Sequence, residues 1–184
     1  MNIIKGVDYV GNFVIYDPRA HRDLFLKLNV EHLNWFVEEA VSRHSIDLSA
    51  LEGPSIQEYV EAHLDEFTSI RPPKGIIYMV EAEGTIVGMG ILRELEEGVG
   101  EIKRMYIRPK YRRRGFGKAL LKMLMEKAEE FGFSTLRLDT ADFMIVAQNI
   151  YRSAGFKEIG EYAGSEIPEW YRPYTVFMEK ILLT

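Results

Sequence analysis

Among its 184 residues the chain has no cysteine, which excludes disulfides, thiolate metal sites and cysteine nucleophiles and suits a reducing cytosol. Long apolar runs are missing too, since none approaches the roughly 18 residues that a membrane-spanning helix needs. The opening Met1-Asn2-Ile3-Ile4-Lys5-Gly6 is too short in apolar length for a signal peptide. His21, His32, His44 and His63 show no ligand spacing with one another or with carboxylates, so no metal is expected. Repeats, low-complexity tracts and linker-like stretches are also lacking. What remains is the profile of a folded cytoplasmic domain, 47% hydrophobic and able to build a real core.

Acidic residues are missing from one window that matters. Between Ile102 and Met125 there is no Asp or Glu, while Lys103, Arg104, Arg108, Lys110, Arg112, Arg113, Arg114, Lys118 and Lys122 are all basic. Without these nine cations, the net charge of -5 becomes -14 for the rest of the chain. A local cationic field on an acidic body points to a small polyanionic ligand, and away from a nucleic-acid or membrane surface. The acidic remainder favours a cationic second partner.

Asp17-Pro18 reads as a helix start, with Asp as N-cap and Pro at the first helical position. Apolar residues from Leu24 to Ala40 follow at helical spacing, with Asn29 expected to break the run in two. Ser55 and Glu58 form a capping box for a helix reaching about Phe67. Ile76–Val80, Thr85–Leu92 and Glu101–Ile107 read as successive strands with turns at Glu83-Gly84 and Glu96-Glu97-Gly98. A helix from Phe116 closes at Gly132, a short strand spans Thr135 to Asp139, and a helix from Phe143 to Ala154 ends at Gly155. Phe156–Tyr162 and Tyr174–Leu182 are closing strands. Asp139-Thr140 is expected in a strand-end turn. The fold class is α/β in the α+β sense, with helices first and then a mixed, largely antiparallel sheet flanked by helices.

The stretch Arg112-Arg113-Arg114-Gly115-Phe116-Gly117-Lys118 joins a strand to a helix start. First-turn N–H groups lack helical partners, the helix dipole favours an anion, and glycine lets a phosphate approach the backbone. A Walker A loop is excluded because the first glycine and the hydroxyl after Lys118 are both missing. The dinucleotide fingerprint fails because Leu120 stands where its third glycine belongs.

Arg112-x-x-Gly115-x-Gly117 before an amphipathic helix resembles the phosphate-binding motif of the GNAT superfamily of acyl-CoA-dependent N-acetyltransferases. Ala147-x-x-Ile150-Tyr151-x-x-x-Gly155-Phe156 resembles its second signature. The likeness covers about Ile76 to Leu182. It implies a single domain over 1–184, in which 1–70 is a mainly helical acceptor-side segment and 76–182 an acyl-CoA-binding core. It also implies acetyl-CoA as acyl donor, with the pyrophosphate held by the backbone from Arg112 to Gly117 and by nearby charges, Lys118 included. The strand Met105-Tyr106-Ile107 would pair with the pantetheine arm and polarise the thioester. Tyr151 would act as general acid, and Glu101 would take the amine proton directly or through water.

The acceptor implied is a small-molecule or peptide amine, attacked directly in a ternary complex, and homodimers are common in the superfamily. Segment Tyr162 to Tyr174 would form a lid. Met144 stands where the superfamily often has Asn, which favours an alternative, an acyl-CoA-binding regulatory module without transfer activity.

Overall fold

The computed structural model describes residues 11–46 and 55–182; the Met1–Gly6 stretch lies outside them. Four of the expected helices are present. Asp17 caps α1 (Pro18–His44) by accepting from the Arg19 N–H, with proline in the first turn. Helix α1 is continuous, contrary to the expected break at Asn29. The Asn29 side chain is buried and donates to the Phe25 carbonyl at 2.8 Å and to Met89 Sδ at 3.4 Å, so its amide serves packing without ending the helix. The capping box of Ser55 and Glu58 opens α2 (Ile56–Thr68). Helices α3 (Phe116–Glu130) and α4 (Ile145–Ser153) complete the set.

Strands β1 (Asn12–Ile15), β2 (Gly75–Ala82), β3 (Thr85–Glu96), β4 (Val99–Ile107), β5 (Thr135–Ala141), β6 (Lys157–Ile159) and β7 (Thr175–Ile181) form one sheet. Its order is β1-β2-β3-β4-β5-β7-β6. Strand β1 was not expected in a helical first third; it pairs antiparallel with the distant β2. Among the described residues, β4–β5 is the one parallel pairing. Asp139 lies inside β5, paired with Phe177 of β7, so the expected strand-end turn is corrected. The strand is longer than its own sequence suggests because β7 pairs with it as far as Ala141.

Strand alternation divides the core into two layers. On one side, Tyr78, Val80 and Leu92 pack with Leu120, Leu124 and Tyr151 of α3 and α4. On the other, Ile77, Met79, Met89 and Tyr106 pack with Phe25, Leu28, Leu64 and Phe67 of α1 and α2. Full burial of each such side chain contributes about 1.5–3 kcal/mol. The two helical layers thus grip opposite faces of β4, the strand from which the site is built.

No helix among the described residues is long and apolar enough to cross a membrane.

Candidate active site

Strand β4 touches β5 through three residue pairs only, ending at Glu101↔Arg137. From Ile102 onward the two strands part, which frees one backbone edge of β4 beside the upper half of β5. Opposite β3 the register slips: Met89 pairs with Tyr106, but Ile91 pairs with Lys103, so Arg104 and Met105 together face Gly90. Arg104 sits in the left-handed region with φ of 55°. A bulge of this kind re-aims the side chains next to it.

Beyond Ile107, Pro109–Tyr111 makes a single 3-10 turn. Arg113 and Gly115 then take positive φ of 62° and 84°, swinging the chain into α3. Gly115 is the N-cap and offers no side-chain acceptor to the first turn. The first helical bond runs from the Ala119 N–H to the Gly115 carbonyl at 3.0 Å. Amides of the opening turn therefore precede the helix's own ladder and carry its positive dipole end.

Gly117 is the informative glycine. A Cβ built there would meet nothing nearer than Ile150 Cδ1, at 3.7 Å, an ordinary contact. Protein packing does not call for glycine at this position, and the space beside it suits a ligand that approaches the backbone.

The basic run does not act as one block. Arg114 donates to Glu83 at 2.7 Å and lies over the Tyr111 ring, while Arg112 donates to the Ile107 carbonyl at 2.8 Å and covers Trp35. Among the described residues Lys110, Arg112, Arg113 and Lys118 form no ion pair; Arg113 and Lys118 flank the helix start, where an anion would sit. Phe116 buries its ring in the core and anchors the helix start.

Tyr151, on α4, is buried, and its hydroxyl points to Met105 Sδ at 3.9 Å, beside the parted strands. Burial, reinforced by the Asp139 charge, pushes its ionisation well above the ordinary phenol value, so the hydroxyl keeps its proton at neutral pH. Met144 precedes α4 and accepts from the Thr140 hydroxyl at 3.3 Å. Gln148 ties α4 to the end of β5 by donating to the Ala141 and Asp142 carbonyls.

Glu101 lies at the root of the parting and is wholly buried. It accepts from Arg93 Nε at 2.7 Å and from the Tyr162 hydroxyl at 2.9 Å, with Lys103 Nζ at 3.7 Å. The same hydroxyl lies 3.4 Å from Asp139. One phenol proton can serve only one carboxylate at a time, so Tyr162 bridges the pair. Burial raises the Asp139 carboxyl above its ordinary value, partly offset by Lys103. The Tyr162–Tyr174 segment covers this side, pinned by Glu166 to Lys103 at 2.8 Å and to Arg93 at 2.6 Å. The fold brings Tyr162, the first residue of the expected lid, and Asp139 to Glu101, a meeting that no local pattern in the sequence signals.

A strand parted from its parallel neighbour above a glycine-opened helix defines a class of acyl-transfer scaffold. The family model of the acetyltransferase (GNAT) family matches residues 33–156, and the chain belongs to that family. It is accordingly an acyltransferase. An IAA acetyltransferase of Azospirillum brasilense is 31% identical over 121 residues, 65% of this chain and 76% of that protein. Among solved structures, a Klebsiella pneumoniae protein assigned as an acyl-CoA N-acyltransferase superposes with a TM-score of 0.65 at 27% identity, covering 94% of this chain and 98% of its own. The PaiA N-acetyltransferase of Thermoplasma acidophilum, solved in complex with coenzyme A, gives a TM-score of 0.62 at 16% identity over 94% of this chain and 99% of its own. At that identity the likeness is one of fold.

Proposed function

We propose that the protein transfers an acetyl or other short acyl group from acetyl-CoA to a primary amine, by direct attack in a ternary complex. The observation that carries this reading is the open space beside Gly117 at the start of α3, with the protonated Tyr151 hydroxyl at the parting of β4 and β5. The residues fit the donor. Backbone amides from Arg112 to Gly117, with Arg113 and Lys118, would hold the pyrophosphate. The free β4 edge would pair with the amides of the pantetheine arm as an added strand does. An N–H between Met105 and Ile107 would donate to the thioester oxygen as charge builds on it.

An alkyl ammonium has an ordinary pKa near 10, roughly that of lysine, so the amine must shed a proton before it attacks. That proton passes to the carboxylates bridged by Tyr162, with Glu101 reached through the phenol or a water. The amine nitrogen bonds to the carbonyl carbon, the C–S bond breaks, and the sulfur leaves with its electron pair. Tyr151 gives its proton to the departing sulfur, and the second proton that nitrogen sheds as the amide forms restores the phenol through solvent. Residues 1–70 form the acceptor side in this reading, and 76–182 the donor side.

Thiol release from acetyl-CoA over a broad amine panel tests the activity; the cysteine-free chain adds no background. Replacing Gly117→Asp together with Arg113→Glu is expected to abolish CoA binding with the fold retained, and unchanged CoA affinity would overturn the site. Met144, in place of the superfamily asparagine, favours a second reading, an acyl-CoA-binding regulatory module. CoA binding without thiol release on any amine would select it.

A further inference from the structure

Strands β3, β4 and β5 carry four cations: Arg93, Lys103, Arg104 and Arg137. Arg93, Lys103 and Arg137 each have a carboxylate within 3 Å. Arg104 has none within 4.0 Å among the described residues. Its guanidinium lies 5.0 Å from the Phe67 ring centroid, and its polar neighbour is the Tyr59 hydroxyl. The acids whose charge reaches it are Glu166 and Asp139. Glu166 is already held by Lys103 and Arg93, and Asp139 shares the Tyr162 hydroxyl.

The surroundings repeat the imbalance. His32 of α1 stacks on Tyr106 at 5.1 Å, and its Nδ1 is buried with no hydrogen-bond partner among the described residues. Burial, then the charges of Arg104 and Arg112, hold its pKa at about 3, so the imidazole is neutral. Arg112 likewise has no carboxylate partner among the described residues; it covers the Tyr106 ring at 5.6 Å and Trp35 at 4.6 Å. Glu31, which also faces Tyr106, is taken up by two hydrogen bonds from Arg108. Two arginines without counter-ions and an orphan ring nitrogen thus gather around Tyr106, on the α1–α2 face of β4.

The backbone gives the same indication. Arg104 occupies the bulge with a left-handed φ, where glycine is the comfortable residue and an L side chain is strained. The residue is half-buried, on the side of β4 that faces Phe67 of α2.

We infer that Arg104 binds a carboxylate on the acceptor, so that the amine acylated here belongs to an amino carboxylate such as an α-amino acid. The inference rests on the acyl-transfer reading and names its substrate class. Residue spacing sets the geometry. Arg104 adjoins Met105 in β4, at the edge where the thioester would lie, and its guanidinium stands on the Phe67 face, the side of the strand from which the acceptor would approach. A carboxylate held there orients the acceptor towards that edge. The planar guanidinium matches a carboxylate with two parallel hydrogen bonds. This local demand differs from the cationic acceptor that the chain's overall charge suggests, and a zwitterionic amino acid satisfies both.

The test compares the twenty L-amino acids with their carboxamides as acceptors. Thiol release gives kcat/KM, and calorimetry gives binding to the protein with and without CoA. At least one amino acid is expected to exceed its amide by about 100-fold or more in kcat/KM, on the scale of a charge-assisted hydrogen-bonded pair. Arg104→Gln should collapse that ratio to near one with CoA affinity unaltered, and Arg104→Lys should restore part of it. Arg104→Gly should lose the ratio as fully while relieving the left-handed strain, so a melting temperature no lower than wild type separates lost recognition from lost fold. Amides that match or exceed the acids, or a ratio indifferent to Arg104→Gln, would overturn the inference. If no amine releases thiol, the acyl-transfer reading fails by itself. Calorimetry then still decides on Arg104: amino-acid binding that Arg104→Gln abolishes supports the carboxylate site, and absence of binding overturns it.

Discussion

Replacing Gly117 by alanine should push stability and cofactor affinity in opposite directions. Gly117 is the second residue of α3, and its Cβ would find only Ile150 Cδ1 at 3.7 Å. Alanine is favoured over glycine within helices by about 0.5–1 kcal/mol, and the lower figure suits a first-turn position. For a chain of this size that amounts to a rise of roughly 1–2 °C in melting temperature. The methyl group would stand where the phosphate must approach. Charge-assisted hydrogen bonds form at about 2.7–2.9 Å and contribute about 1.5–3 kcal/mol each. Losing one of them weakens CoA binding by about 10- to 100-fold. Calorimetric titration with CoA and thermal unfolding of the same two proteins give both numbers. Unchanged affinity, or a variant more than about 1 kcal/mol less stable than wild type, would refute the assignment of Gly117 to a ligand. Gly115→Ala is the internal contrast, since φ of 84° imposes strain on any side chain and stability should fall by about 1–2 kcal/mol.

Two further outcomes follow from the buried titratable groups. Tyr151→Phe should reduce kcat for thiol release by about 10- to 100-fold with CoA affinity within about threefold, because the hydroxyl acts on the leaving sulfur and not on the bound donor; an unaltered kcat would dismiss that role. His32 has an ordinary pKa of 6.5 and a folded value of about 3, so the unfolded chain takes up a proton across that window and the native state does not. Stability is then full above pH 6.5 and falls as pH drops towards 3, by at most about 1.4 kcal/mol per unit from this group. His32→Phe should flatten the acid limb of the urea-unfolding profile, and an unchanged slope would count against a neutral, buried imidazole.

Legibility in the sequence followed the range of the interaction. Asp17-Pro18, the Ser55–Glu58 box, and the helix ends at Gly132 and Gly155 are written within a few residues, and the structure repeats them. Features that depend on remote partners were not readable. Strand β1 exists because β2 accepts it across 63 residues of chain, at the pairing Ile15↔Tyr78. Asn29 stays helical because Met89 sulfur and the Phe25 carbonyl take its amide protons. Asp139 is held in β5 by Phe177 of a strand still to come. Each missed feature was decided by tertiary context overriding a local preference.

The same distinction divides the candidate site. Its donor half depends on backbone: two glycines, a helix start and an unpaired strand edge, all set within one continuous stretch from Ile102 to Lys118. Its proposed acceptor half depends on side chains brought together from separate elements. Glu101 meets Tyr162 from 61 residues away, Lys103 meets Glu166 from 63, and Arg104 of β4 faces Phe67 of α2. Changes at Tyr59, Phe67 or Arg104 would alter the proposed acceptor side and leave the opening amides of α3 in place. In the proposed reading such a scaffold would keep one acyl donor while a few side chains set the amine it serves, and the inference drawn above adds Arg104 to those side chains.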